Sequence, residues 1–448
     1  MKRGIDMKNV KILKGDLVYA LSKDNVMFIK DGYLVIKEHI IEGAYKDLPS
    51  EYVNEEIEDY TGRIIMPGMI DLHVHASQYS FRGMGMDLEL LDWLNTYTFK
   101  EESKYNSLDY ANKAYEIYVE DLVKSTTTRA CIFGTIHKEA TLRLMEMLDK
   151  TGLKTMVGKV NMDRESPDYY IEHSADDSVK ETIEFIKETS RFENTKPIIT
   201  PRFVPSCTDE LMEKLSRVRE EHNLSVQSHL SENKKEIEWV KELNRKAHSY
   251  GEAYDMFGLF GGDYKAIMAH CVYSDDEELR RMKKNNVYVA HCPDSNVNLA
   301  SGIAPIRKFL KYGVNVGLGS DVAAGYSISM FKAMVDALQV SKLYWRLVDN
   351  SVSPLSINEV FYLATLGGGS FFGNVGTFKK GYEADVIVMD DTSIKCPYDL
   401  TLEERLERLI YLSNDDNMVA KYVAGCKVYD ALGNVDENRS EEKEIILV

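Results

Sequence analysis

Pro67-Gly68-Met69-Ile70-Asp71-Leu72-His73-Val74-His75-Ala76-Ser77-Gln78-Tyr79-Ser80-Phe81 is the stretch on which the reading of this chain turns. Met69 to Val74 is short and mostly apolar, as a buried β-strand is. It runs into two histidines separated by one residue. Alternate side chains of a strand share a face, so His73 and His75 can address one point in space, as two metal ligands must. Gln78, in the loop just beyond, is placed to read a polar substrate. A lone His-x-His is more often a pair of packing or surface histidines, so the other ligands must come from elsewhere.

Working outward, apolar runs alternate with longer helical patterns between residues 66 and 375. Eight runs have strand character: 69–75, 127–133, 155–162, 197–203, 225–230, 266–271, 287–292 and 314–321. Between them, residues 109–124 place Ala111, Ala114, Tyr115, Tyr118 and Leu122 on helical spacing, and residues 208–221 do the same with Leu211, Leu215 and Val218. Strand and helix alternating eight times predict an α/β fold, a (β/α)8 TIM barrel over residues 67–376. Residues 8–65 read as short strands with a hairpin signal at Asp31-Gly32, and residues 419–429 read as a hairpin near the other end. Both ends, residues 1–66 and 377–448, are therefore expected to pair into a small β-sandwich domain. The charged tail at 436–443 is expected to be mobile.

A chain of 448 residues suits a large α/β domain with a smaller one. The net charge of -17 argues against a nucleic-acid partner, which calls for a basic footprint, and fits a protein acting on small molecules. None of the six cysteines forms a Cys-x-x-Cys pair. No run approaches the ~18 apolar residues of a membrane span, and the N-terminus lacks a signal-peptide core. A cytoplasmic setting without membrane contact is the expectation.

A barrel carries its chemistry at the carboxyl ends of its strands. His73 and His75 end the first run, His229 the fifth, His270 the sixth, His291 the seventh and Asp321 the eighth. His73, His75, His229 and Asp321 make a mononuclear site for zinc or another divalent metal, with a position left for water. Such a metal lowers the pKa of bound water to about 7. Hydrolysis also needs a proton shuttle. Glu232, three residues after His229 where a helix begins, is the candidate acid/base. His270 can hydrogen-bond the water, and Asp321 can accept its proton. His291 reads as a supporting residue. His137 and Glu139 form half of a nucleobase-deaminase zinc signature, but its Pro-Cys-x-x-Cys half is missing, so a surface loop is expected there. His39, His173, His222 and His248 lie in polar segments and read as solvated. The fourth run ends in Arg202, which cannot be carboxylated to bridge two metals, so one metal is expected.

These residues resemble the amidohydrolase superfamily and, within it, the guanine deaminases. The resemblance is carried by residues 73–81, Leu91-Asp92-Trp93-Leu94-Asn95-Thr96-Tyr97-Thr98-Phe99, Thr200-Pro201-Arg202-Phe203, residues 227–233, Ala290-His291-Cys292-Pro293-Asp294-Ser295-Asn296 and residues 317–323. Arg82-Gly83-Met84-Gly85 and Ala323-Ala324-Gly325 depart from the pattern without replacing a ligand. The resemblance implies hydrolytic removal of the amino group at C2 of guanine, giving xanthine and ammonia. It implies a metal-dependent enzyme of guanine catabolism, with zinc or iron as the metal, and a homodimer. Glu232 would protonate the ring nitrogen and then the departing amine. Gln78 and Arg202 would meet the polar edge of the purine, and Phe203 or Trp93 its face. Two other readings stay open: a related enzyme acting on another amino-purine or amino-triazine, and a non-enzymatic scaffold of the same fold.

Overall fold

The computed structural model describes residues 10–432; the charged tail at 436–443 lies outside the described residues. Every residue of the strand Met69–His75 is buried, Asp71, His73 and His75 among them. It edges a four-stranded parallel sheet that continues in chain order through Thr127–Phe133, Lys154–Gly158 and Thr195–Pro197. Val226–Leu230, Ala266–His270, Val287–His291 and Asn315–Leu318 form a second four-stranded parallel sheet, again in chain order. Helices connect the strands. Leu108–Lys124 buries Ala111, Ala114, Tyr115, Tyr118 and Leu122, the face its periodicity predicts. Asp209–His222 begins where the Thr208 side chain accepts from the Leu211 amide and ends at Asn223 in the left-handed region.

Two expected strands are interrupted. The 155–162 run breaks at Lys159 into Lys154–Gly158 and Val160–Asn161, and the 197–203 run splits into Thr195–Pro197 and Thr200–Pro201. Lys159 is fully buried against Glu172, and Pro197 and Pro201 have no amide to donate to a ladder. The short pieces Val160–Asn161 and Thr200–Pro201 pair with each other. Backbone hydrogen bonds run between the two four-stranded sheets on both sides. Ile199 N donates to Ser225 O at 3.0 Å and Gln227 N to Ile199 O at 2.9 Å. Asp321 N donates to His73 O at 2.8 Å and His75 N to Val322 O at 3.1 Å. Ile70, Leu72 and Cys131 of the first sheet share one buried cluster with Ile267, Ala269, Tyr288 and Ala290 of the second.

The two chain ends do pair, but in one seven-stranded sheet. Its order is Cys426–Asp430, Met418–Val423, Val386–Met389, Ile57–Pro67, Val10–Ser22, Asn25–Lys37 and Ile40–Tyr45. The expected β-sandwich is thus met only in part: among the described residues no second sheet is separated from the first. The hairpin expected at Asp31-Gly32 is not a turn. Asn25–Lys37 runs straight through it, with Asp31 at φ 49° and its amide held by Asp16 Oδ1 at 2.9 Å, opposite a register shift. A bulge, not a reversal, uses the left-handed conformation there. The sheet is anchored to the rest of the molecule by two buried basic side chains. Lys421 Nζ donates to the carbonyls of Leu122, Ser125 and Thr127 at 3.1, 2.6 and 3.1 Å. Arg129 pairs with Glu383 and Asp385 at 2.8 and 2.7 Å.

Candidate metal centre and cleft

His73 and His75 leave the same face of their strand. The Nε2 atom of His75 lies 3.2 Å from Nε2 of both His73 and His229. Asp321 Oδ1 is 3.1 Å from His73 Nε2 and 3.4 Å from His75 Nε2. Asp321 stands three residues past Asn315–Leu318 at φ 47°, held by its amide on His73 O. Asp71 fixes this junction from below, accepting from His73 N at 3.1 Å, Ser320 N at 3.0 Å and Ser320 Oγ at 2.5 Å.

The hydrogen bonds assign the tautomers. His229 Nδ1 lies 2.6 Å from the Arg202 carbonyl, which can only accept, so Nδ1 carries the proton and the Nε2 lone pair faces the cluster. His270 Nδ1 likewise donates to Asn296 Oδ1 at 2.9 Å, leaving its Nε2 without a partner. That Nε2 is 3.4 Å from Glu232 Oε2 and 3.7 Å from Asp321 Oδ2. Ligand atoms of His73, His75 and His229, and again of His73, His270 and Asp321, lie within 4.8 Å of one another. Imidazole lone pairs and a carboxylate oxygen converging in a buried place, with too few protons to satisfy one another, fit a divalent cation.

The electrostatics agree with that donor set. Burial pushes the Asp321 carboxyl up, but His73, His270 and His75 together outweigh it and hold it well below the usual range. Burial, reinforced by His73, lowers His75 and His229 well below the ordinary imidazole value and keeps them neutral, as ligands must be. Glu232 is pushed up to about 8, first by burial and then by the charge of Asp321, against a hydrogen bond from Ser301 Oγ at 3.2 Å.

A narrow cleft opens on this cluster. His75, His229, His270, Asp321 and Glu232 line its metal-facing end, and Gln78, Arg202, Phe203 and Trp93 are also in its wall. All of the site residues expected from the sequence except His73, which lies beneath, border one space. Phe203 packs edge-on to Trp239 at 6.0 Å, and Trp93 Nε1 donates to Met84 O at 3.1 Å. His291 stays out of the cleft wall. It is buried with neither ring nitrogen partnered, and burial lowers it to about 3. His137 is not in a surface loop: it is half-buried and precedes the helix Lys138–Thr151, with its Nε2 buried. His39, His173 and His248 are exposed as expected, whereas His222 is half-buried in the last turn of its helix.

Two carboxylates were missed. Glu236 accepts from the amides of Glu232 and Asn233 at 3.1 and 3.2 Å and fixes the segment that carries Glu232. Its signal was present, since Asn233 followed by Glu236 three residues later is a capping box. Glu102 is fully buried and pairs with both Gln78 and Arg202; nothing local marks it.

Three comparisons with known proteins bear on this site. The sequence matches the amidohydrolase family over residues 64–428. It is 36% identical to a guanine deaminase from Dictyostelium discoideum, covering 94% of this chain and 98% of that protein. It is 41% identical to the guanine deaminase of Mus musculus, covering 81% and 82%. A crystal structure of guanine deaminase from C. acetobutylicum with guanine bound in the active site superimposes with a TM-score of 0.91 at 48% identity, covering 94% of this chain and all of that one.

Proposed function

The chain belongs to the amidohydrolase family, and we propose that it is a guanine deaminase, removing the 2-amino group of guanine by hydrolysis to give xanthine and ammonia. One observation carries the reading. A cation-ready cluster, a high-pKa carboxyl and a guanidinium-amide pair border the same cleft. The guanine deaminases it resembles over most of their length support the substrate.

His73, His75, His229 and Asp321 would hold one divalent cation; zinc suits this nitrogen-rich donor set, and iron is compatible with it. When bound, the cation supplies a Lewis acid that makes water nucleophilic near neutral pH. The chain's own residues do the rest. Asp321 takes the proton of the attacking water, and His270, its Nε2 lone pair aimed between Glu232 and Asp321, orients that water. Glu232 gives the proton at Oε2 to the purine ring nitrogen, takes up the second proton of the attacking water and hands it to the departing amine, and the proton held on Asp321 then restores its acid form. Gln78 and Arg202 hold the polar edge of the ring, while Phe203 and Trp93 flank its face.

The finer architecture follows the same reading. The two four-stranded sheets are the halves of a (β/α)8 barrel over residues 67–376, supported by the backbone hydrogen bonds on both sides and the shared cluster. The ends of the chain, residues 1–66 and 377–448, make up the second domain, and its described strands build the seven-stranded sheet. Six free cysteines suit a reducing cytoplasm, and among the described residues no helix is long and apolar enough to cross a membrane. A homodimer is in keeping with the family.

Metal-loaded protein incubated with guanine or with adenine tests the reading by ammonia release and purine absorbance. Guanine should be converted to xanthine. Turnover of adenine without turnover of guanine would replace this reading with that of another amino-purine deaminase.

A further inference from the structure

We infer that Glu102, which lies behind the cleft wall, sets the choice between 6-oxo and 6-amino purines by fixing the orientation of Gln78 and Arg202. The inference rests on the guanine reading above. Glu102 sits in the short helix Phe99–Ser103, fully buried, and is not among the residues that line the cleft. Its Oε1 accepts from Gln78 Nε2 at 2.8 Å and from one Arg202 terminal nitrogen at 3.2 Å, while its Oε2 accepts from the other at 2.5 Å. The Phe99 ring lies 5.1 Å from the guanidinium carbon, so Arg202 is held by a fork and a flat face together.

The consequence is in the direction of the donors. A carboxylate only accepts and a backbone amide only donates. Gln78 touches one of each, since its Oε1 accepts from Ala323 N at 3.3 Å. Its amide therefore fits one way round, nitrogen toward Glu102 and oxygen toward Ala323. With the Gln78 oxygen engaged by Ala323 N, what Gln78 and Arg202 have left to offer a ligand is mostly N–H groups. A wall of donors suits guanine, whose O6 and N7 are adjacent acceptors that a guanidinium can meet together. A 6-amino purine places a donor where O6 would be and leaves buried N–H groups facing N–H groups. With an amide in place of the Glu102 carboxylate, the Gln78 amide is free to reverse and present its oxygen, and Arg202 loses one arm of its fork.

The test compares guanine with 2,6-diaminopurine, which carry the same 2-amino leaving group and differ at position 6 and in the N1 proton that goes with it. Steady-state rates are measured on metal-loaded wild type, Glu102→Gln and Glu102→Asp, with metal content determined for each. Wild type should prefer guanine. Glu102→Gln should narrow that preference by about tenfold or more, mostly through a higher KM for guanine, with metal content unchanged. Glu102→Asp keeps an acceptor-only group and should retain most of the preference. A purely structural role would lower both substrates together, so an unchanged ratio in Glu102→Gln overturns the inference. Loss of the folded holoenzyme in both variants overturns it too. If wild type converts guanine and the ratio does not move, only the role of Glu102 falls. If wild type converts neither purine, the guanine reading falls and this inference with it.

Discussion

Glu232 has to be buried and still hold a proton near neutral pH, and its surroundings arrange that. Burial and the Asp321 charge push its carboxyl up to about 8, where general acids work well at neutral pH. On the proposed mechanism, in which the acid form protonates the ring nitrogen, kcat/KM for guanine should fall as pH rises through about 8. Ser301 Oγ donates to the carboxylate and lowers that value, so Ser301→Ala should move the falling limb of the pH profile upward; a downward move or no move would contradict the assignment. Glu232→Gln should keep its metal yet lose about 10²- to 10⁴-fold in turnover, and near-normal turnover would remove Glu232 from the mechanism. Glu232 stood out in the sequence because its markers are local: His229 lies near the end of the strand Val226–Leu230, and the helix Lys234–Leu243 follows two residues after Glu232. Glu102 was not readable. Lys100-Glu101-Glu102-Ser103 looks like a solvated charged run, and its partners are 24 and 100 residues away in sequence.

Elements were legible where one face decides them. The strand Met69–His75 and the helix Leu108–Lys124 fall where their periodicity puts them. The third and fourth strand runs were read too long because an apolar run does not reveal a buried lysine such as Lys159 or a missing proline amide as the point where pairing stops. Asp31-Gly32 misled for a related reason: a left-handed residue serves a bulge as well as a turn. Lys421 is the opposite case, a charge in a run of apolar strand residues that the sequence alone would place on the surface. It is fully buried on Met418–Val423 and caps three carbonyls between the helix Leu108–Lys124 and the strand Thr127–Phe133. Lys421→Met should leave those carbonyls unpaired and cost about 3 kcal/mol of stability, measured by urea denaturation. A loss within the error of the measurement would show that other groups satisfy them.

At the scale of the whole molecule, the metal cluster ties elements from both parallel sheets. His73 and His75 come from one, His229 and the Asp321 loop from the other. A cation bound there stabilises only the folded chain. Chelation should therefore lower the melting temperature, and added zinc should restore it; a melting temperature indifferent to chelator would contradict the ligand set. The alternation of strands and helices was enough to expect the catalytic domain, because each unit is specified locally. How the two ends meet was less legible, since one sheet or two depends on contacts between segments far apart in the chain. That sheet has a consequence for how the protein is made. Ile57–Pro67 lies between Val10–Ser22 and Val386–Met389, with Pro67 paired to Val386. On the ribosome, the partner for one side of Ile57–Pro67 precedes it in the chain, whereas the partner for the other is made only after roughly 300 further residues, tens of seconds at about 5–20 residues per second. During that wait its open edge is a template for a stranger's strand, so nascent chains stalled before Val386 are the form of this protein with most to gain from a chaperone.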